Sequence, residues 1–401
     1  MTPISLSRAA SPTHMCGSNK TSQTRLAASP SLAHAKRQAL RQHMRERGGE
    51  ILDWRPYCAV TMRKFLILWL LYFYTRSINV SGEESSPRLL FVFGDSYADT
   101  GNTPPGSTSA WSVPYGKFWP GTPVGRFSDG FVETDILAAA LGMPSPTPYR
   151  LAQNMSISGG VNFAVGGSGV TYAYGTPPFQ TQVGWFASMV EAGVFTPEDL
   201  NRALIFVSVV GNDYAAYNGS SLEGYSNLTH EVPLLIDLNL RTLYSLGARN
   251  FMVSSISPLD CLPRITALSG FTECQKNVTI DAVIASHNHF LGNRLENITR
   301  KLENSSVLYL QQTKSMRYVL NHLSEFNLTE GLKPCCVGNC GSVDEGGNPL
   351  YTVCENPETH FFWDGVHPTE AGWKAIVGLY NRPRFTWFAR SLSSWFGSLR
   401  L

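Results

Sequence analysis

The sequence predicts an α/β fold with a mostly parallel sheet covered by helices on both faces. Three observations lead there. Strand-like apolar runs recur at Leu89–Phe93, Val161–Val165, Leu204–Val210, Asn250–Ser254 and Ser306–Gln311. A short apolar run that does not alternate marks a strand buried on both faces, as inside a parallel sheet. Helix-like segments separate these runs, and strand–helix alternation is the pattern of parallel pairing with crossover helices. No linker-like stretch divides 83–401, so one large domain accounts for it.

The N-terminal part stands apart. Residues 1–61 are rich in Ser, Ala and Arg and have no sustained apolar period. From Met62, two cations, the ten apolar residues Phe65 to Tyr74 and the smaller, more polar 77–82 have the anatomy of a secretory signal peptide. Such a peptide normally opens a chain. The expectation is therefore that translation begins at Met62, that 62–82 is the signal peptide and that 1–61 is a spurious or disordered extension. An organelle transit peptide is the rival reading of 1–61. Ten apolar residues fall well short of the ~20 that a spanning helix needs.

Charge follows the same division. Residues 1–61 hold nine Lys/Arg against three Asp/Glu, whereas 83–401 hold 20 against 27, a net charge of −7. An acidic body argues against a nucleic-acid partner.

Within the body, the run Leu89–Phe93 leads into Gly94-Asp95-Ser96-Tyr97-Ala98-Asp99-Thr100-Gly101-Asn102. Gly94 and Asp95 turn the chain and leave Ser96 at the carboxyl end of a buried strand, the edge where open α/β sheets bind ligands. Phe131–Leu141 is apolar and alanine-rich, and Thr181–Ala192 carries Val183, Phe186, Ala187 and Val190 at helical spacing. Leu234–Leu246 and Ile280–Leu302 are longer helices. The last helix lies in Val366–Tyr380 and begins near Pro368, a residue suited to a first turn. Two loop-rich insertions, Thr103–Gly125 and Leu332–Pro357, interrupt the pattern, and the first follows Ser96 closely enough to wall a cleft. Beyond the body at 83–380, the extension 381–401 places Phe385, Phe388, Leu392, Trp395, Phe396 and Leu399 on one helical face beside Arg384, Arg390 and Arg400. Such a face could lie on a lipid surface or dock on the domain.

Gly-Asp-Ser alone is equally an ordinary turn, and its weight comes from segments far downstream. Asn162-Phe163-Ala164-Val165-Gly166-Gly167-Ser168-Gly169, Gly211-Asn212-Asp213 and Asp364-Gly365-Val366-His367-Pro368 follow in that order. Together with Gly94-Asp95-Ser96, Asp99, Gly101 and Asn102, they resemble the four dispersed blocks of the plant-type GDSL esterases and lipases, in the SGNH hydrolase superfamily. The resemblance spans about 89–380 and implies that superfamily's flavodoxin-like three-layer α/β/α sandwich. Ser96 would be the nucleophile and His367 its base. Asp364, three residues before His367, is close enough for one turn to hold the pair.

The resemblance also implies three oxyanion donors: the Ser96 N–H, the Gly167 N–H with Gly166 as the adjacent alternative, and the Asn212 amide. Gly-Gly-Ser-Gly lacks the Gly-X-Gly-X-X-Gly spacing of a dinucleotide site, and no Gly-X-Ser-X-Gly elbow surrounds Ser96. The expected function is a secreted serine esterase acting on acyl lipids, acetylated sugars or small esters, monomeric and without metal or cofactor. An acyltransferase using the same acyl-enzyme, or a silent carbohydrate- or lipid-binding protein, is the alternative.

Two further features agree with secretion. Cys261, Cys274, Cys335, Cys336, Cys340 and Cys354 suggest disulfides, with Cys261 and Cys274 closing a short loop. A zinc site through Cys335, Cys336, Cys340 and Cys354 is the alternative, although adjacent cysteines are awkward for tetrahedral ligation. Asn154, Asn218, Asn227, Asn277, Asn297, Asn304 and Asn327 all head glycosylation sequons.

Overall fold

The computed structural model describes residues 88–399 apart from 153–156, 158, 172–173, 210, 220 and 276; the expected extension 1–61, the signal segment 62–82 and Asn154 lie outside the described residues. Its strands are β1 (Leu90–Gly94), β2 (Thr147–Pro148), β3 (Val161–Asn162), β4 (Leu204–Ser208), β5 (Asn250–Ser254), β6 (Ser306–Leu310), the separate hairpin β7 (Cys336–Val343) and β8 (Pro349–Val353), and β9 (Thr386–Trp387). The main sheet runs β2-β3-β1-β4-β5-β6-β9. Every neighbouring pair is parallel except β6 with β9. The inner order β3-β1-β4-β5-β6 is the flavodoxin-like arrangement, and connections change direction between β1 and β4.

All five residues of β1 are buried, which explains why the run does not alternate. Phe91 and Phe93 enter one apolar layer, Leu90 and Val92 the other. In the first layer the Phe91 ring meets Phe186 and Phe195 edge-on at 4.9 and 4.8 Å. Burying a side chain of this size stabilises by roughly 1.5–3 kcal/mol, so β1 anchors both layers.

The principal helices are α1 (Glu133–Ala140), α2 (Phe179–Glu191), α3 (Pro197–Arg202), α4 (Leu222–Ser245), α5 (Val278–Lys301), α6 (Gln312–Asn321), α7 (Glu370–Leu379) and α8 (Leu392–Ser398). Helices α2 to α5 supply the first apolar layer; α1 and α6 to α8 supply the second. The result is a three-layer α/β/α sandwich. Among the described residues no helix is long and apolar enough to cross a membrane.

Four elements differ from the sequence reading. Helix α4 starts twelve residues before Leu234, at a Ser221 cap whose side chain accepts the Gly224 N–H, and it carries Pro233 in its interior. Pro233 cannot donate a helical hydrogen bond, but its ring is buried with the core-facing side chains of the same helix. Helix α7 starts at Glu370, after Pro368, because the Thr369 hydroxyl caps it by accepting the Gly372 N–H at 2.9 Å. The insertion 332–357 holds the hairpin β7–β8, tied by Cys335–Cys354 and Cys336–Cys340, which removes the zinc alternative; Cys261–Cys274 is the third disulfide.

The last correction concerns the extension after Tyr380, which up to Leu399 forms β9 and α8 in place of one amphipathic helix; Arg400 lies outside the described residues. Phe385, Leu392, Trp395 and Leu399 are buried in the second apolar layer, and the Trp395 indole N–H donates to Ser306 Oγ at 2.8 Å. Phe388 and Phe396, the other two apolar residues of this face, are half-buried against the domain.

A buried carboxylate joins the second layer to the sheet. Glu133, at the start of α1, accepts hydrogen bonds from Ser208 Oγ (3.0 Å), Gln312 Nε2 (3.1 Å) and the Tyr380 hydroxyl (3.0 Å). Burial pushes its pKa up from 4.5 to about 7, and those three donors only partly oppose the shift. A raised carboxyl pKa means the folded state holds the proton more tightly than the unfolded chain. The associated stability is present below pH 4.5 and lost as pH rises through about 7. Glu133→Gln should therefore gain in thermal midpoint relative to the parent as pH rises across that window. A midpoint difference that stays flat with pH would contradict the assignment.

Candidate active site

The site lies where β1, β3 and β4 end, beside the change of direction in the sheet. β1 closes on Gly94 at φ +155°, and a Cβ there would sit 2.2 Å from the Ser208 carbonyl oxygen. Only glycine permits that approach to β4. The chain then turns: Asp95 N–H donates to Ser208 O, and Asp95 Oδ1 accepts the Tyr97 N–H at 3.0 Å. Ser96 is thereby left at the strand end with its side chain in a cavity of about 590 Å³.

The structure brings Ser96, His367 and Asp364 together. His367 Nε2 lies 2.8 Å from Ser96 Oγ, and His367 Nδ1 lies 2.9 and 2.8 Å from the two Asp364 oxygens. The three-residue spacing works because Asp364 Oδ1 also accepts the backbone N–H groups of Val366 and His367, each at 2.8 Å, so the carboxylate organises its own turn. Burial alone would raise the Asp364 carboxyl, but the His367 charge and these hydrogen bonds outweigh it and hold the pKa below the ordinary value. The His367 ring is wedged between Phe127, with centroids 5.0 Å apart, and the edge of Tyr97 at 5.8 Å.

Sequence reasoning missed Tyr115. Its hydroxyl donates to Asp364 Oδ2 at 2.7 Å, and its ring packs against Trp363 and the cysteines of the β7–β8 hairpin. Burial, then the Asp364 charge, raises this phenol far above its ordinary range, so it remains a donor at any working pH. No motif could have signalled it, because Tyr115 sits in the first insertion, 249 residues from its partner.

The three expected oxyanion donors line the same cavity. The Gly166 N–H is engaged by Asp99 Oδ2 at 2.9 Å, and a Cβ on Gly166 would strike the Phe127 ring. Gly167, in the left-handed region at φ +81°, has an N–H with no partner among the described residues, as does Ser96. Of the two adjacent glycines, Gly167 is therefore the one whose N–H stays unpaired among the described residues. Asn212 opens a one-turn helix, Asn212–Ala215, and donates one amide N–H to the Ser168 carbonyl at 2.8 Å, which orients the group and leaves the second N–H for the cavity.

Its neighbour Asp213, with 1% exposure, accepts from the Val170 N–H, the Thr171 N–H and the Thr171 hydroxyl. Asp213 therefore fixes the glycine loop against the Asn212 turn. Gln182 on α2 exchanges two hydrogen bonds with the Gly94 backbone and reaches Ser168 Oγ, locking the Ser96 and Gly167 segments together.

Fold and site together define an SGNH-type hydrolase. The model of the GDSL-like Lipase/Acylhydrolase family matches residues 90–378, and the chain belongs to that family. A GDSL esterase/lipase of Arabidopsis thaliana is 39% identical over 310 residues, 73% of this chain and 86% of the relative. A second from the same plant is 37% identical over 315 residues, 74% and 88% of the two chains. Acetylajmalan esterase 2 of Rauvolfia serpentina is 30% identical over 331 residues, 72% and 88%. The protein is a carboxylic ester hydrolase by this membership.

Proposed function

We propose that the protein is a secreted, glycosylated serine esterase that cleaves carboxylic esters through an acyl-enzyme on Ser96. The observation that carries this reading is the unbroken hydrogen-bonded line Ser96–His367–Asp364 opening into a cavity. Ser96 Oγ attacks the ester carbonyl carbon while its proton passes to His367 Nε2. Asp364 stabilises the imidazolium that forms. The N–H groups of Ser96 and Gly167 and the Asn212 amide take the charge on the carbonyl oxygen. The alcohol then leaves with the proton from His367. Water, deprotonated by His367, releases the acid and restores the Ser96 hydroxyl.

Secretion rests on separate support. Three disulfides belong to an oxidising compartment. Asn218, Asn227, Asn277, Asn297, Asn304 and Asn327 are all exposed, as glycan acceptors must be. The cation-plus-apolar segment 62–82 supplies the export signal.

Three outcomes follow. Ser96→Ala should abolish both turnover of a short aryl ester and labelling by a fluorophosphonate, with the thermal midpoint nearly unchanged; retention of more than about a tenth of the activity would remove Ser96 as nucleophile. Asn212→Ala should lower kcat by roughly 10²–10³, about 2.7–4 kcal/mol, with little change in KM, and Asn212→Asp should be at least as damaging. A destabilised but fully active Asn212→Ala would make it a turn residue only. Mass spectrometry of the exported protein should place its N-terminus between about Ser77 and Ser85 by the small-residue rule for signal cleavage, and a mature chain retaining 62–82 would count against this route.

A further inference from the structure

Resting on the esterase reading, we infer that Arg264 is an anion-binding determinant of the substrate cleft and that the favoured esters carry a second, anionic oxygen group, a carboxylate or a phosphate. Arg264 lies in the single turn Pro263–Thr266 that follows the carboxyl end of β5. Two ties hold that turn. The Arg264 N–H donates to the Gly365 carbonyl at 2.8 Å, inside the Asp364–His367 turn, and the preceding Cys261 is bonded to Cys274. The Arg264 backbone is thus fixed to the loop that carries His367.

Its side chain is exposed and lines the cavity that holds Ser96, Asn212 and His367. Arginines with an ionic or hydrogen-bonded use elsewhere in the molecule have acidic or carbonyl partners: Arg126 with Asp135, Arg317 with Asp260, Arg382 with Glu325. Among the described residues, the Arg264 guanidinium has neither a carboxylate nor a hydrogen-bond partner. An arginine at a substrate cavity with its five donors unspent is suited to bidentate recognition of an anionic oxygen group.

A second cavity, of about 540 Å³, extends the case. Ala215, Leu259 and Arg264 line both cavities. The second is otherwise walled largely by Tyr214, Tyr225, Ile265, Ile280 and Val283. Arg264 therefore stands where a cleft with catalytic geometry adjoins a mainly apolar chamber. A substrate that spans the two would place its ester at Ser96 and its anionic group at Arg264, with apolar bulk beyond. The body repels anions through its net charge of −7, so a local cation is what makes such a substrate acceptable.

The test uses 4-nitrophenyl hemiesters of straight-chain dicarboxylic acids of increasing length, each paired with the same ester capped as a neutral methyl ester. A parallel series ends in a phosphonate. The readout is the ratio of kcat/KM for the anionic ester to that for its neutral partner, so a general loss of activity cancels. In the parent that ratio should peak at one chain length. In Arg264→Gln it should fall about tenfold or more at that length, through KM. Arg264→Glu should lower it further and Arg264→Lys restore part of it, while fluorophosphonate labelling of Ser96 persists. Comparison of the two series tells carboxylate from phosphate. A ratio unaltered by Arg264→Gln, with the neutral esters still turned over, overturns this inference alone. A parent that neither takes up the fluorophosphonate nor hydrolyses any ester overturns the esterase reading and this inference with it.

Discussion

The buried carboxylate of Asp99 is the constraint on which the site depends. It is wholly inaccessible, and burial raises its pKa against the pull of its donors. Leaving such a group unpaired would cost far more than folding can spare. It accepts the backbone N–H groups of Gly101, Asn102 and Thr103 at 2.8, 2.7 and 3.2 Å, the Thr103 hydroxyl, and the Gly166 N–H at 2.9 Å. The first four donors are local and curl the chain after Ser96 on itself. The fifth comes from the glycine loop 67 residues away, so satisfying one charge brings two distant segments to the same place and leaves the next N–H, that of Gly167, for the cavity. Asn102 and Asn162 reinforce the junction, each donating its amide to backbone carbonyls of the other's segment.

The same device recurs across the sheet edge. Asp213 collects donors from the glycine loop, Asp364 from its own turn and from Tyr115, and Glu133 from β4, α6 and the residue after α7. Each buried acid ties segments that the sheet's topology has already delivered to one edge. The polypeptide thereby orders loops that would otherwise lose too much conformational entropy to be held. The disulfide-tied β7–β8 hairpin acts in the same sense from outside, packing on Trp363 and on Tyr115, whose hydroxyl donates to Asp364.

Much was legible in the sequence because much is local. The unbroken apolar runs named the buried strands, and Asp364 and His367 are close enough in sequence for one turn to join them. The family blocks then pointed to Ser96, Gly167 and Asn212, all of which line one cavity. Where the reading strayed, a local signal was outweighed by packing: Pro233 lies inside α4 because its ring is buried there, and the apolar face after Tyr380 closes the second layer because β6 offers it an open edge.

What the sequence by itself determined is therefore the class of fold and the residues able to do chemistry, since periodicity and short spacing survive without coordinates. The tertiary structure alone decided which of two adjacent glycines keeps an unpaired N–H among the described residues, that Tyr115 donates to Asp364, and that Arg264 lines the cleft with no hydrogen-bond partner among those residues. Each of those outcomes depends on whether a polar group has found a partner, and partners 67 to 249 residues apart are set by the crossing of the chain, not by any neighbour along it.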